Sequence, residues 1–111
     1  MIDLAKIVGF EWDHGNIDKI RLKHDVATDE VEQVFQNDPI IKPDLQHSRT
    51  ELRYHAFGST REGRLLHVAF TLRREGRLIR VISARSMSRQ ERKAYEEYIE
   101  KEAQADSEVP H

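Results

Sequence analysis

The sequence predicts an α+β domain: a small antiparallel sheet with two N-terminal helices and one C-terminal helix. Three observations lead there. Apolar residues recur at spacings of three and four between residues 14 and 36 and again between 94 and 99, the period of a helix. Apolar and polar residues alternate over 53–57, 65–72 and 78–84, the period of a strand. Ser59–Gly63 and Glu75-Gly76 then supply turn residues between those runs.

Taken in order, Val8–Trp12 reads as a short strand. Asp13 caps a helix from about His14 to Lys23, with Ile17, Ile20 and His24 along one side. Thr28 is the expected N-cap of a second helix, Asp29 to Gln36. Its first turn is acidic, and Val31, Val34 and Phe35 form its buried stripe. Asn37-Asp38-Pro39 ends it, because the residue before proline avoids helical geometry. Ile40–Lys42 is a short strand, followed by Arg53–Phe57, Leu65–Leu72 and Leu78–Ala84. Glu75-Gly76 is read as a two-residue hairpin turn. Ser88 and Glu91 form a capping box for the last helix, with Met87 as staple and Ala94, Tyr95, Tyr98 and Ile99 as apolar face. One domain is expected over residues 1–102, and residues 103–111 as a tail.

With 111 residues, 38% hydrophobic and 34% charged, the chain suits a single modest core. No apolar run approaches the roughly 18 residues of a membrane span, and the N-terminus lacks the pattern of a secretory signal. There is no cysteine, hence no disulfide and no thiolate metal site. A reducing cytoplasm fits. The net charge of -2 hides a strong asymmetry. From Arg49 to Lys93 stand twelve Lys or Arg against four Glu, and eleven of the twelve cations are Arg; elsewhere six cations face sixteen acids. Arginine is the residue for bidentate phosphate contact, although a solvated charged surface has the same composition.

If Arg74 pairs with Arg77, facing residues of the last hairpin sum to 151. Leu66, Val68 and Phe70 then share a face, apolar but for Ser83, with Ile79, Val81 and Ser83. Pairing Gly58 with Arg64 in the preceding hairpin makes facing residues sum to 122. The opposite face collects Glu51, Arg53, His55, His67 and Arg80, with Arg64 and Arg85 on the other face or at the rim. A carboxylate, two imidazoles and several guanidiniums suit phosphodiester cleavage. A solvent-facing surface of cross-strand ion pairs is the plainer reading. His47, His55 and His67 lack zinc-type spacing, the glycines form no phosphate loop, and no Ser-His-Asp order suggests itself.

These residues also carry a resemblance. Phe10-Glu11-Trp12-Asp13, Lys23-His24 with Val26, and Glu32, Val34, Phe35, Asp38 and Pro39 resemble successive motifs of BrnT toxins. So do Glu51, Arg53, Gly58, Gly63-Arg64, Leu66, Val68 and Thr71, then Ile79–Arg85, Glu91-Arg92 and Tyr95. The match spans about residues 10–98. Asp25 departs from it, standing where the family has Gly, at an expected left-handed helix cap. The resemblance implies a RelE-like fold and a cytoplasmic endoribonuclease needing no metal or organic cofactor. It also implies a BrnA-type antitoxin as partner in a heterotetramer, with DNA contacted only through that partner.

On this reading His24 or Glu51 takes the proton of a ribose 2′-hydroxyl. Arg80, with Arg64 or Arg85, stabilises the transition state, and the products are a 2′,3′-cyclic phosphate and a 5′-hydroxyl. Strand alternation puts Arg80 and Arg85 on opposite faces, so both can serve only if the strand twists or bulges near Ser83. Arg53, His55, His67 and Tyr95 are the RNA-binding candidates. Arg53 is expected to pair with Glu51, and Tyr95 either stacks on a base or completes the core. The alternative function is a non-catalytic module whose Arg-rich face binds RNA or an acidic antitoxin.

Overall fold

The structure is a computed structural model that describes residues 2–47 and 50–107. Arg49 and the last four residues of the expected tail lie outside the described residues. A 3-10 turn, Leu4–Lys6, leads into β1 (Gly9–Glu11), α1 (His14–His24) and α2 (Thr28–Gln36). Then come β2 (Ile40–Pro43), β3 (Arg53–Ser59), β4 (Leu65–Arg73), β5 (Leu78–Ser86) and α3 (Arg89–Ser107). The five strands form one sheet in the order β1-β5-β4-β3-β2. Three of its pairings are antiparallel, while β1 runs parallel to β5. A parallel pair needs a long crossover, and here α1 through β4 provide it.

The inner face of the sheet carries the core. Ala56, Leu66, Val68, Phe70, Ile79, Val81 and Ala84 are buried against Ile20 and Val26 at the end of α1 and Val31 and Val34 of α2. Phe10 and Trp12 pack at its margin, as does Phe35, whose ring meets Phe70 edge-on at 5.0 Å. Trp12 Nε1 also donates to Glu32 Oε2 at 3.1 Å.

Local chemistry sets the element ends. Asp13 Oδ1 accepts from the Gly15 N–H at 2.7 Å and so opens α1. Asp25 closes it in the left-handed region, with φ 52° and ψ 43°. Thr28 lies inside α2 rather than capping it. Ala27 is the N-cap, and Glu30 Oε1 accepts from its backbone N–H at 3.0 Å. That is half of a capping box, and it needs no hydroxyl at the cap.

The expected sum of 151 holds in the last hairpin from Arg73–Leu78 to Phe70–Val81 and becomes 152 beyond it, and the ladder itself closes at Arg73–Leu78, one pair short of Arg74–Arg77. Arg74, Glu75 and Gly76 all have positive φ, and the loop is a four-residue turn. The β3–β4 pairing is Gly58 with Leu66, so facing residues sum to 124 instead of 122. A shift of two leaves each side chain on its expected face, because the strand period is two.

Between Ala69 and Phe70 the β4–β5 register shifts from Ser83 to Val81, leaving Ile82 as the extra residue of a β-bulge. Asn16 Nδ2 of α1 donates to the Val81 carbonyl at 3.0 Å beside it. The apolar series Ile79, Val81 thus resumes at Ala84, one residue out of phase.

Helix α3 starts on the other side of the sheet. Its capping box forms as expected, with Glu91 N–H donating to Ser88 Oγ at 3.1 Å and Ser88 N–H to Glu91 Oε1 at 2.8 Å. It continues to Ser107, past the expected end of the domain at 102. Its apolar side does not reach the core: between Arg89 and Ala105 every residue but Glu91 and Tyr95 is exposed.

Candidate active site

The bulge decides the outer face. Because β5 changes phase at Ile82, Arg80 and Arg85 both point away from the core, on the same face as Arg53, His55, Phe57 and His67. Arg80 stands opposite Thr71 and Arg85 opposite His67. Four ladder steps separate them, about 13 Å at roughly 3.3 Å per residue. The expected place for Arg85, on the other face or the rim, is therefore corrected by one inserted residue.

Each guanidinium has a partner. Arg85 Nη1 and Nη2 donate to Glu91 Oε1 and Oε2 at 2.8 and 3.0 Å, a bidentate pair that holds the Glu91 carboxyl down at about 2. Arg80 Nη2 lies 3.8 Å from Asp13 Oδ2. Arg64, just before β4, reaches across to the α1–α2 junction. Its Nη1 donates to the Asp25 carbonyl at 2.6 Å and to Glu30 Oε1 at 3.0 Å, and its Nη2 to the His24 carbonyl at 3.1 Å and Ser86 Oγ at 3.2 Å.

Of the two proposed bases, His24 is linked through Arg64 to Ser86, next to Arg85, while Glu51 lies at the other end of β4. His24 is the exposed last residue of α1, and its contact to Arg64 is made by its backbone carbonyl. Glu51 precedes β3, and its carboxylate meets Arg73 at 3.4 Å. Arg73 ends β4, at the opposite end from His67 and Arg85.

Near Arg85 a connected set of side chains appears. Glu91 Oε2 lies 4.0 Å from His67 Nδ1, and His67 Nε2 is 2.7 Å from His55 Nδ1. His55 Nε2 is in turn 3.1 Å from Asp44 Oδ2, which His47 Nδ1 also approaches at 2.9 Å. Asp44 is fixed to β3 by its N–H, which donates to the Arg53 carbonyl at 2.8 Å. Burial, then the positive charge of Arg85, pushes His67 down to about 4, so its ring is neutral near pH 7. Burial works to raise the Asp44 carboxyl, but its hydrogen bonds to His47 and the nearby imidazoles hold it below the usual value.

Sequence reasoning placed His55 and His67 on this face and missed Asp44 and Glu91. Glu91 was read as a cap and a motif residue but given no place at the site, and Asp44 sits in a connection where no periodicity marks it.

Beside this set lies an open groove of about 470 Å³ between α3 and the outer ends of β2 and β3. Ile40, Lys42, Phe57, Glu91, Tyr95 and Tyr98 are among its walls. Tyr95 thus lines the groove and is no part of the core, and burial followed by the charge of Asp38 raises its phenol. Phe57 stacks on His67 at 4.8 Å. Among the described residues no group of three or more His, Asp or Glu is arranged to hold a metal ion. No helix among them is long and apolar enough to cross a membrane.

A family profile described as "Ribonuclease toxin, BrnT, of type II toxin-antitoxin system" matches residues 12–91, well over half of the chain. The chain belongs to the BrnT family. It is accordingly a ribonuclease toxin of a type II toxin–antitoxin system, with RNA as substrate and an antitoxin as partner. Among solved structures it is similar to the Brucella abortus ribonuclease toxin BrnT, known from a crystal structure at 1.1 Å resolution. The two share 19% identity over 73% of this chain and 97% of that one, with a TM-score of 0.54, a likeness of fold. No curated protein matches the chain. The family match ends at Glu91, so the body of α3 lies beyond it.

Proposed function

We propose that this BrnT-family protein is a metal-independent endoribonuclease that cuts RNA by attack of a ribose 2′-hydroxyl on the adjacent phosphate. The observation that carries this reading is the bulge at Ile82, which turns Arg80 and Arg85 to one face of the sheet beside two imidazoles. RNA lies across that face. Arg85 offsets the charge that builds on the phosphorus-bound oxygens, Arg80, about 13 Å along the same face, holds a neighbouring phosphate, and Arg53 and Lys42 hold the flanking backbone. The aromatic walls of the groove, Phe57, Tyr95 and Tyr98, suit a stacked base. Arg64, bound to two carbonyls and a carboxylate, keeps α1 and α2 in place under this surface.

The cellular setting follows the family. A BrnA-type antitoxin holds the toxin in a heterotetramer, DNA is met only through that partner, and the toxin acts in the cytoplasm, where its release slows growth. The RelE-like label suits helices packed on a small sheet.

The direct test incubates purified protein with single-stranded RNA, with and without EDTA, beside Arg80→Ala and Arg85→Ala. Cleavage that survives chelation, ends in 2′,3′-cyclic phosphates and drops at least 100-fold in either variant is expected. Cleavage lost in EDTA rejects the metal-free scheme. RNA bound but never cut moves the protein to the binding-module reading, in which the internal pairs Arg80–Asp13 and Arg85–Glu91 are plain surface ion pairs.

A further inference from the structure

We propose that Asp44, His55 and His67 form a proton relay for RNA cleavage, in which His67 Nδ1 takes the proton of the attacking 2′-hydroxyl. The proposal rests on the ribonuclease reading above and names as base a ring nitrogen on the outer face, beside Arg85.

An ionised carboxylate only accepts hydrogen bonds, so His55 must offer a proton from Nε2 to Asp44 at 3.1 Å. In a neutral ring that leaves His55 Nδ1 as an acceptor. His67 Nε2, 2.7 Å away, must then be its donor. A neutral His67 that donates from Nε2 has a bare lone pair on Nδ1. That lone pair faces Glu91 Oε2 across 4.0 Å, too far for a hydrogen bond, as expected of two acceptors. The hydrogen-bond network therefore fixes both tautomers, with the basic atom at the end nearest Arg85.

Arg85 and His67 are cross-strand partners on the outer face. The Glu91 carboxylate, bidentate on Arg85, marks where an anionic group sits against that guanidinium. A phosphate taking this place brings its neighbouring 2′-hydroxyl to His67 Nδ1. His67 is 12% exposed and His55 29%, so the wire is sheltered yet open at this end.

The relay also solves a charge problem. A positive His67 next to Arg85 is unfavourable. As the O2′–P bond forms, His67 accepts the proton at Nδ1 and passes its Nε2 proton to His55 Nδ1. The positive charge then rests on His55, hydrogen-bonded to Asp44. The P–O5′ bond breaks, and the 5′-oxygen takes a proton from water. The hydroxide left behind is neutralised when the proton returns along the wire and leaves from His67 Nδ1. Here His67 is the catalytic residue, and His55 and Asp44 position it. The charged or titratable groups facing them are Arg85 from β5, Glu91 from α3, Lys42 across from His55 on β2, Arg53 on β3, and His47 beside Asp44.

The test measures cleavage of a single-stranded RNA oligonucleotide from pH 3 to 9 by the full chain. His67→Gln should lower kcat about 100-fold or more with little change in KM. Asp44→Asn keeps the acceptor that the His47 N–H uses. It should lower the plateau and move the acid limb of the profile to lower pH, because the relay loses the negative charge that favours its protonation. Nitrogen NMR of the wild type should show His67 protonated at Nε2 and bare at Nδ1. His67→Gln retaining wild-type rates within threefold, or His67 protonated at Nδ1, overturns the relay alone. A wild type that binds RNA without cutting it overturns the ribonuclease reading and the relay together. Should His67→Gln fail to fold, the Asp44→Asn profile and the wild-type spectrum decide the matter.

Discussion

Asn16 Nδ2 donates a hydrogen bond of 3.0 Å to the carbonyl oxygen of Val81, tying α1 to β5 beside the bulge. A bulge disrupts the strand ladder, and an amide side chain can satisfy a carbonyl at such a point. Asn16→Ala leaves that carbonyl without this donor and should cost about 1–2 kcal/mol in urea unfolding. If the hydrogen bond helps hold the phase of β5, RNA cleavage falls by more than the folded fraction does. A variant with unchanged specific activity removes Asn16 from that role.

Arg64→Ala should be the most damaging of the arginine substitutions to stability. It deletes donors to the carbonyls of His24 and Asp25 and to the Glu30 carboxylate together. Hydrogen bonds from charged groups are worth about 1.5–3 kcal/mol, so a loss of about 2–3 kcal/mol is expected. Arg64→Lys should recover less than half, since an ammonium cannot span the same fork. Equilibrium denaturation with both variants measures this.

At the other side of that contact, Asp25 holds φ at 52°, a region glycine enters without steric cost. Asp25→Gly should raise stability by about 0.5 kcal/mol, the relief of strain being partly offset by a freer unfolded chain. A fall in Tm would show that the Asp25 side chain contributes more than the backbone strain costs.

The close approach of α2 to β3 gives a fourth expectation. A Cβ on Gly58 would lie 2.9 Å from Val34 Cγ1 and 3.3 Å from Pro39 Cβ. Val34 is fully buried and cannot withdraw. Gly58→Ala should therefore destabilise by about 1–3 kcal/mol through overpacking. Thermal unfolding of the variant is a sufficient check.

Stability should also fall steadily with acid. His67 sits at about 4 when folded against an ordinary 6.5, so between those values the unfolded chain binds the proton and the folded one does not. Its contribution is full above 6.5 and gone below about 4. Glu91, lowered to about 2 from 4.5, loses its contribution over that lower window in the same direction. His67→Gln should flatten the upper part of the curve and leave the lower part. A wild type equally stable at pH 7 and pH 4 contradicts the His67 assignment, and one that loses nothing between pH 4.5 and pH 2 contradicts that of Glu91.

The faces of β3 and β4 were legible in the sequence because alternation fixes a face even when the register is off by two, as it was at Gly58. The α1 boundaries were legible because Asp13 and Asp25 act through local backbone geometry. The parallel pairing of β1 was not, since nothing within Gly9–Glu11 names its partner. The possibility of a bulge was raised by the Arg80–Arg85 spacing, and its position could have been found. Val81 and Ile82 are adjacent apolar residues at which one alternating series ends and the next begins. The Asp44–His55–His67 wire was hidden for a different reason. Its members come from a connection and two strands, and sequence spacing carries no trace of a contact made across a sheet.

Helix α3 runs for nineteen residues, and between Arg89 and Ala105 only Glu91 and Tyr95, near its beginning, are part-buried. Its later turns contribute little to the global unfolding free energy. Their amides should exchange with deuterated solvent long before those of β4, and the chain can be shortened or fused behind Tyr98 at small thermodynamic penalty.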